Sequence, residues 1–313
     1  MLSNCNLPGG YCFGHQIAIP VIMRSTDTEM PGTLVAKLLI SMLALAGVSA
    51  PALAQQNPAN PSTTPEVKLT GLVALVSDYR FRGVSQSNNG LAVQGGLTLN
   101  HVSGGYGGFW ASNLAGWGTF GGPNLELDLF AGYKLPVGGG TLDVGGTFYQ
   151  FPGGAALTSF FEPYAKFGGT IGPVGLTAGV AYAWKQKSLG NWSNHPDSRP
   201  DDREDNLYVW GDGTIGVAGT PVTLKAHIGY SDGNPGLGPN GTSVAPTGSY
   251  WDWLVGADYV VGPVTLGVAY VDTDISATSA DFFRLQPNFS RNQVAGGEPI
   301  SSARVVFSIT GTF

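Results

Sequence analysis

From residue 67 onward, the chain alternates apolar residues with small or polar ones in repeated segments of about ten residues. Because side chains alternate across a β-strand, each segment is predicted to be a strand with one apolar and one polar face. Twelve such segments follow one another: 67–82, 91–101, 106–114, 124–134, 141–151, 160–170, 174–184, 206–216, 222–231, 250–260, 264–273 and 303–313.

The connections between these segments alternate in length along the chain. The short ones are 102–105, 135–140, 171–173, 217–221 and 261–263, and the long ones are 83–90, 115–123, 152–159, 185–205, 232–249 and 274–302. Bacterial outer-membrane barrels have short periplasmic turns at one rim and long extracellular loops at the other. In hydrocarbon, only a closed sheet gives every strand N–H and C=O a partner. The sequence therefore predicts an all-β fold, a transmembrane antiparallel β-barrel of about 12 strands.

The two faces of each strand indicate which side meets lipid. Segment 124–134 places Leu125, Leu127 and Leu129 on one face and Glu126 and Asp128 on the other. Aromatic residues near strand ends are typical of the interfacial girdles of such barrels, so the apolar face is expected to point outward. The residues expected in this girdle are Tyr79, Phe81, Tyr133, Tyr182, Trp184, Tyr230, Trp251, Trp253, Tyr259, Tyr270 and Phe313.

The stretch 77–83, SDYRFRG, continues the first of these strands. Alternation then predicts that Asp78, Arg80 and Arg82 point into the barrel, while Tyr79 and Phe81 face the membrane.

Composition fits this fold, since 48 of the 313 residues are Gly and only 12% are charged. At the N-terminus, 30–54 reads as a signal peptide, with a basic Lys37, an apolar core at 38–48 and a cleavage site near Ala54. The alternative of a membrane anchor is disfavoured because this core is shorter than the ~18–20 residues that a spanning helix needs. We therefore expect 1–29 to be an upstream extension before the true start, 55–65 a linker and 66–313 the barrel. The product would be exported to the outer membrane of a Gram-negative bacterium.

Two motifs near the start of the barrel resemble a known family. Residues 77–86, SDYRFRGVSQ, and 106–113, YGGFWASN, are similar to the N-terminal hallmarks of the TorF-type porins, a proteobacterial outer-membrane family of poorly defined function. The strand with Glu126 and Asp128, the segment 161–166 and the terminal Phe313 also fit. The resemblance implies a porin-like barrel without enzymatic residues, and it identifies no substrate.

The inward face predicts a narrow lumen of mixed charge. A twelve-stranded barrel has a backbone radius of roughly 12 Å, and charged side chains narrow it further. These residues either form ion pairs that brace the barrel or build a constriction that selects solutes by charge. The candidate pore-lining residues are Asp78, Arg80, Arg82, Glu126, Asp128, Glu162, Lys166, Lys225, Asp252, Asp258 and Arg304.

The predicted function is passive diffusion of ions or small polar solutes, without a cofactor or metal and without covalent chemistry. Expected partners are outer-membrane lipids, lipopolysaccharide, and the barrel-assembly machinery, which would read Phe313. A net charge of −6 gives no basis for nucleic-acid binding. The acidic loop 185–205 either is simply solvated or holds a divalent cation that bridges lipopolysaccharide.

Two alternatives remain open at this stage. The barrel could be plugged by its own ion pairs and serve as a structural or surface-binding protein. More remotely, His101 and Ser103 resemble the His-x-Ser of outer-membrane phospholipases, although no third partner is evident.

Overall fold

The computed structural model describes residues 66–116, 122–190, 202–233, 248–276 and 299–313. Residues 1–65, on which the predictions of a signal peptide and a linker fall, lie outside these ranges. The strands are β1 (Val67–Val76), β2 (Arg80–Phe81), β3 (Val84–Ser85), β4 (Ala92–His101), β5 (Gly105–Asn113), β6 (Leu125–Val137), β7 (Gly140–Gln150), β8 (Phe160–Ile171), β9 (Val174–Gln186), β10 (Glu204–Gly216), β11 (Val222–Gly233), β12 (Ser249–Val261), β13 (Val264–Thr273) and β14 (Arg304–Thr312). A single helical turn, α1 (Lys187–Gly190), follows β9.

All strands except β2 and β3 form one closed antiparallel barrel, in the order β1-β14-β13-β12-β11-β10-β9-β8-β7-β6-β5-β4. The first and last strands close it, with Leu72 opposite Thr312 and Val76 opposite Ser308. The backbone of Gly71 exchanges hydrogen bonds of 2.8 and 3.0 Å with that of Phe313 beyond the strand end. The predicted fold, a closed twelve-stranded antiparallel barrel, is confirmed.

The strands divide the barrel into two ends. At one end, which we call the turn end, the strand bounds leave only 102–104, 138–139, 172–173, 217–221 and 262–263 between consecutive strands. The barrel also begins and finishes there, at Val67 and Thr312. The longer connections lie at the opposite end, which we call the loop end.

The outer face of the barrel is apolar. Along β12, Trp251, Val255 and Tyr259 are exposed, whereas Asp252 between them is buried. Most of the expected girdle residues follow this pattern: Tyr133, Tyr182, Trp184, Trp251, Tyr259, Tyr270 and Phe313 are exposed. Side chains outside the barrel thus present hydrocarbon and aromatic rings to the surroundings.

The prediction for residues 77–82 is wrong, because β1 ends at Val76. The chain then turns inward, and β2 and β3 form a small separate hairpin with Arg80 opposite Ser85 and Phe81 opposite Val84. Arg82 and Gly83 make its two-residue turn with φ values of 48° and 78°. Positive φ at both central residues is the geometry of a type I′ hairpin turn. We call residues 77–90 the inward segment.

This turn overturns the predicted outward orientation of two aromatic residues. Tyr79 is only 9% exposed and belongs to an apolar cluster with Ala92, Phe160 and Leu189, and Phe81 packs against that cluster. Strand alternation determines whether a side chain points into or out of the barrel only while the strand continues. Once the backbone leaves the sheet after Val76, the hairpin carries both aromatic side chains inside.

Within the described residues, no helix is long and apolar enough to cross a membrane.

An arginine on the outer face tests the orientation of the barrel. We expect Val255→Arg, at an outward position that is 55% exposed, to destabilise the barrel in lipid by about 2–4 kcal/mol, because it places a charge against hydrocarbon. Val255→Leu, which keeps an apolar side chain there, should fold like the wild type. Urea titration of protein refolded into lipid vesicles measures the difference. Equal stability of the two variants would contradict an outward-facing, lipid-exposed Val255.

Candidate functional site

The inward segment is fixed to the barrel wall through Arg82. Its Nη2 donates to both carboxylate oxygens of Glu162 on β8, each at 2.7 Å. Its Nη1 donates at 2.8 Å to the amide oxygen of Asn206 on β10, in the amide orientation that satisfies both groups. The guanidinium lies 4.1 Å from the ring centroid of Tyr208, and the Tyr250 hydroxyl donates to the Arg82 carbonyl at 3.0 Å. One side chain and its backbone therefore contact three strands.

Burial and charge act in opposite directions on Arg82. Burial by itself lowers the pKa of the guanidinium, but the Glu162 carboxylate outweighs this effect, and the pKa of Arg82 is raised. The two side chains are 6% and 3% exposed. Because the two groups are buried and bonded to each other, removing one partner would leave an uncompensated buried charge.

A second set of contacts holds the inward segment in shape. Asp78 accepts hydrogen bonds from Arg80 Nε at 2.7 Å and from the hydroxyls of Ser85 and Ser87 at 2.5 and 3.2 Å. Arg80 also donates to the Gly83 carbonyl at 2.9 Å and to Asn89 at 3.0 Å. Arg80 and Asp78 therefore act mainly within the segment, and they do not lie on a strand wall as the sequence predicted.

Residues 299–304, at the end of the connection that leads into β14, are bonded to the inward segment. Arg80 donates to the Ser302 carbonyl at 2.8 Å, and the Ser85 N–H donates to the Ile300 carbonyl at 2.8 Å. Arg304 at the start of β14 donates to the Asn89 carbonyl at 3.5 Å. The segment is thus bonded both to the wall and to residues 299–304.

Aromatic rings form the other contact between the segment and the wall. Tyr79 packs on Trp110 of β5 with ring centroids 5.2 Å apart, and Phe81 meets Tyr149 of β7 edge to face at 5.8 Å. Tyr149 in turn stacks on Phe160 at 4.6 Å. These rings fill the loop end of the interior with an apolar core, where the sequence predicted a wet lumen.

Tyr79 also meets the acidic wall of β6. Burial first, and then the carboxylates of Glu126 and Asp128, raise the pKa of Tyr79 well above its ordinary value. The hydroxyl therefore keeps its proton and donates a hydrogen bond to Glu126. Glu126 and Asp128 occupy neighbouring inward positions of β6 and are 1% and 8% exposed.

The remaining predicted lumen residues lie on the inner wall, each with a partner. Lys166 Nζ lies 3.5 Å from Asp143, and Lys225 Nζ lies 2.6 Å from Asp258. Asp252 accepts from the Tyr208 hydroxyl and lies 3.2 Å from Nε2 of His227. His227 bonds Asp212 through Nδ1 at 2.6 Å. The structure thus places these four predicted lumen residues in paired groups on the inner wall.

Two cavities border the inward segment. The larger has a volume of about 400 Å³ and is lined by Arg82, Glu162, Lys166, Tyr208, Trp210 and His227, among others. The smaller, of about 270 Å³, is lined by Asp78, Tyr79, Gln94, Trp110, Lys225 and Ser308, among others. Both have charged and aromatic walls and can hold water or a small polar solute.

The residues of the predicted hydrolase motif are in contact. His101 Nδ1 lies 2.8 Å from Ser103 Oγ and also accepts the Ser103 N–H at 3.2 Å. This geometry caps an exposed turn at the turn end. Among the described hydrogen bonds, none joins Nε2 of His101 to an acidic or amide side chain that could orient the ring as in a catalytic triad. No group of three or more His, Cys, Asp or Glu side chains in the described ranges could hold a metal ion.

The acidic loop 185–205 is described only at its two ends. Residues 191–201 lie outside the described ranges, so the predicted cation and lipopolysaccharide contacts of this loop stay predictions.

Sequence reasoning missed the wall residues that receive the segment. Asn206, Tyr208 and Tyr250 bind Arg82, yet none was proposed as a site residue. One available indication was the number of aromatic residues on inward positions, since Trp110, Tyr149 and Tyr208 all share the face of acidic neighbours. A water-filled lumen does not need such rings, whereas an apolar plug does.

The chain belongs to a bacterial protein family. The sequence model of the family described as "Bacterial protein of unknown function (Gcw_chp)" matches residues 58–313. No curated protein matches the chain significantly. The resemblance to TorF-type porins stays a prediction.

Several solved structures are similar in fold. The COG4313 outer membrane channel from Pseudomonas putida F1 is 12% identical, with a TM-score of 0.44 over 82% of this chain and 99% of that chain. The outer membrane channel DcaP of Acinetobacter baumannii is 14% identical, with a TM-score of 0.39 over 79% of this chain and 97% of that chain. At these values neither likeness carries a functional inference for this chain.

Two glycine variants test how tightly the inward segment is seated. A Cβ at Gly83 would lie 2.4 Å from Thr273 Cγ2 and 2.8 Å from Asp252 Cβ, so Gly83→Ala should displace the hairpin. Gly138, with φ of 58° and open space around it, shares the backbone strain without the clash. Displacement of the hairpin is measured as the accessibility of a cysteine introduced by Ala92→Cys. Residue 92 is a fully buried position of the apolar cluster, and Cys5 and Cys12 are replaced by Ser in this chain.

We expect Gly83→Ala to raise the rate at which a water-soluble maleimide labels this cysteine, and Gly138→Ala to leave it unchanged. Equal rates in both variants would mean that the hairpin is not packed against β12 and β13 as described.

Proposed function

Since the chain belongs to this bacterial family of unknown function, its role must come from the geometry, and we propose that it is a narrow diffusion channel of the outer membrane. It would pass ions or small polar solutes without covalent chemistry. The inward segment would act as its plug in the conformation described. The observation that carries the proposal is a barrel with an apolar outer face, a charged inner wall and cavities beside a segment whose anchors include the buried Arg82–Glu162 ion pair.

The outer face supports the location. Exposed Leu, Val and aromatic side chains surround the barrel, and closure leaves no unpaired strand edge. Only helices and closed barrels satisfy their backbone in hydrocarbon. A bacterial barrel of this kind belongs in the outer membrane, with the turn end toward the periplasm.

The inner wall supports transport of small polar solutes. Lys166, Lys225, His227 and Asp258 are partly accessible and carry both signs of charge. Such a wall can replace part of the hydration shell of an ion or solute. In the conformation described, two cavities of about 400 and 270 Å³ lie beside the inward segment, and the proposed solutes are ions and small metabolites.

Assembly of the barrel would depend on Phe313. Its ring is 72% exposed and covers Gly71 on the neighbouring strand, where an added Cβ would meet the ring at 2.4 Å. We propose that the barrel-assembly machinery reads this terminal aromatic residue. Outer-membrane lipids and lipopolysaccharide would then contact the apolar girdle.

A second candidate is a permanently plugged barrel with a structural or surface-binding role. The observation that favours it is the burial of the Arg82–Glu162 pair and of the aromatic core around Tyr79. A segment with this many contacts could remain seated. The two candidates differ in whether releasing the segment opens a path for ions.

Breaking the Arg82–Glu162 ion pair distinguishes the channel from the permanently plugged barrel. Arg82→Gln leaves Glu162 buried without a cation, and a cost of about 3 kcal/mol would shift the seated-to-released equilibrium roughly a hundredfold. We expect planar-bilayer recordings to show that this variant is open for a much larger fraction of time than the wild type.

Lys225→Gln is the matched control. It removes the same charge from an ion pair whose two partners both lie on the barrel wall, so it should change ion preference without changing the open fraction. If neither the wild type nor Arg82→Gln conducts in repeated reconstitutions, the channel is ruled out and the plugged barrel remains. If Arg82→Gln behaves like Lys225→Gln, Arg82 does not hold the plug.

A further inference from the structure

The buried carboxyl groups of Glu126 and Asp128 lie beside the inward segment, and each has an oxygen atom without a hydrogen bond. Among the described residues, Oε2 of Glu126 and Oδ1 of Asp128 are buried and have no hydrogen-bond partner. Both side chains point inward from β6, two positions apart, at the loop end of the interior. Neither residue takes part in the Arg82 contacts described above, so their burial needs a separate explanation.

Among the described residues, no cationic side chain forms an ion pair with either acid. From the inward segment, Tyr79 donates to Glu126 and keeps its own proton. From β5, Ser112 lies opposite Glu126 and Trp110 opposite Asp128, and from β7, Tyr149 lies opposite Asp128. From β8, the Glu162 carboxylate adds negative charge near Asp128. Arg82, the cation nearby in the segment, is bonded to Glu162 and Asn206.

This arrangement favours the neutral form of at least one of the two acids. Burial disfavours a carboxylate that has no cation, and a second carboxylate beside it disfavours ionisation further. A proton on the pair also supplies a donor where unpartnered oxygens now lie. If the plug leaves, water reaches β6, and a hydrated carboxyl group ionises near pH 4.

We propose that Glu126 and Asp128 form a proton-operated latch that couples seating of the inward segment to pH. The protonated pair accommodates the seated plug. Ionisation of both acids places two adjacent charges under Tyr79 and favours release. The direction follows from the proton balance: the seated state binds more protons than the released state, so seating is favoured as pH falls and release as pH rises. The inference rests on the proposed channel only in that release would open the lumen.

The test measures plug release and current separately. Release of the inward segment is measured as the rate at which maleimide labels Ala92→Cys. At each pH this rate is divided by the labelling rate of the exposed Val102→Cys, which corrects for ionisation of the thiol. Both variants are made in the chain without Cys5 and Cys12. In the wild-type background we expect this ratio to rise between pH 5 and pH 9, by up to about tenfold per pH unit for each proton released.

Neutral analogues of the protonated acids should weaken the response. Asp128→Asn, and independently Glu126→Gln, should make the labelling ratio rise less steeply with pH, because each variant retains only one of the two titratable acids. Asp258→Asn, which neutralises a wall carboxylate that is 25% exposed and paired with Lys225, should keep the wild-type profile. A wild-type ratio that does not change with pH, or an Asp128→Asn profile that matches the wild type, would overturn the latch.

Current in planar bilayers distinguishes this proposal from the channel itself. A labelling ratio that follows pH in a protein that never conducts would remove the channel and leave the latch standing. A conducting protein whose current and labelling ratio both ignore pH would remove the latch and leave the channel.

Discussion

The structure depends on one constraint: strands surrounded by hydrocarbon must pair every N–H and C=O with another strand. The pairing of β1 with β14 meets this requirement, because it removes the two edges that an open twelve-stranded sheet would expose. Closure also separates two environments. Alternate residues of each strand then face either the apolar surroundings or the enclosed space, and the sequence must satisfy both at once.

The enclosed space is not a simple aqueous pore. Its loop end is occupied by residues 77–90, which are held in shape by hydrogen bonds of Asp78 and Arg80 and meet the wall through Arg82. Aromatic residues of both the segment and the wall complete a small apolar core there. Toward the turn end, the interior carries paired charges and open cavity instead. One barrel therefore combines a packed interior at the loop end with a polar interior toward the turn end.

The fold was predictable because it repeats one local rule twelve times. In β6, the alternation of Leu125, Glu126, Leu127 and Asp128 assigns each face directly, and every strand adds independent support. The inward segment breaks that rule at a single point. Its turn needs positive φ at Arg82, a conformation that a non-glycine residue adopts only when other contacts hold it, and those contacts come from Glu162 and Tyr250, distant in sequence. Alternation through Tyr79 and Phe81 therefore predicted the wrong side.

The same reasoning applies to the candidate site residues, whose functional roles stay predictions. Charged residues on strands, such as Glu162, Lys225 and Asp252, could be proposed as inward-facing candidates because a charge within a strand of this kind must avoid lipid. Their partners depend on strand register and on the path of the inward segment, which composition does not specify. Hence the sequence predicted a mixed-charge interior but not the contact between Arg82 and Glu162.

Quenching of tryptophan fluorescence by brominated acyl chains tests the central claim most directly, namely that lipid surrounds the barrel and residue 79 lies inside it. Variants that each retain one tryptophan, refolded into brominated lipid, allow each position to be read alone. Trp184 and Trp251 on the outer face should be strongly quenched, whereas Trp110, and a tryptophan introduced as Tyr79→Trp, should not. Strong quenching at position 79 together with weak quenching at 251 would contradict the account.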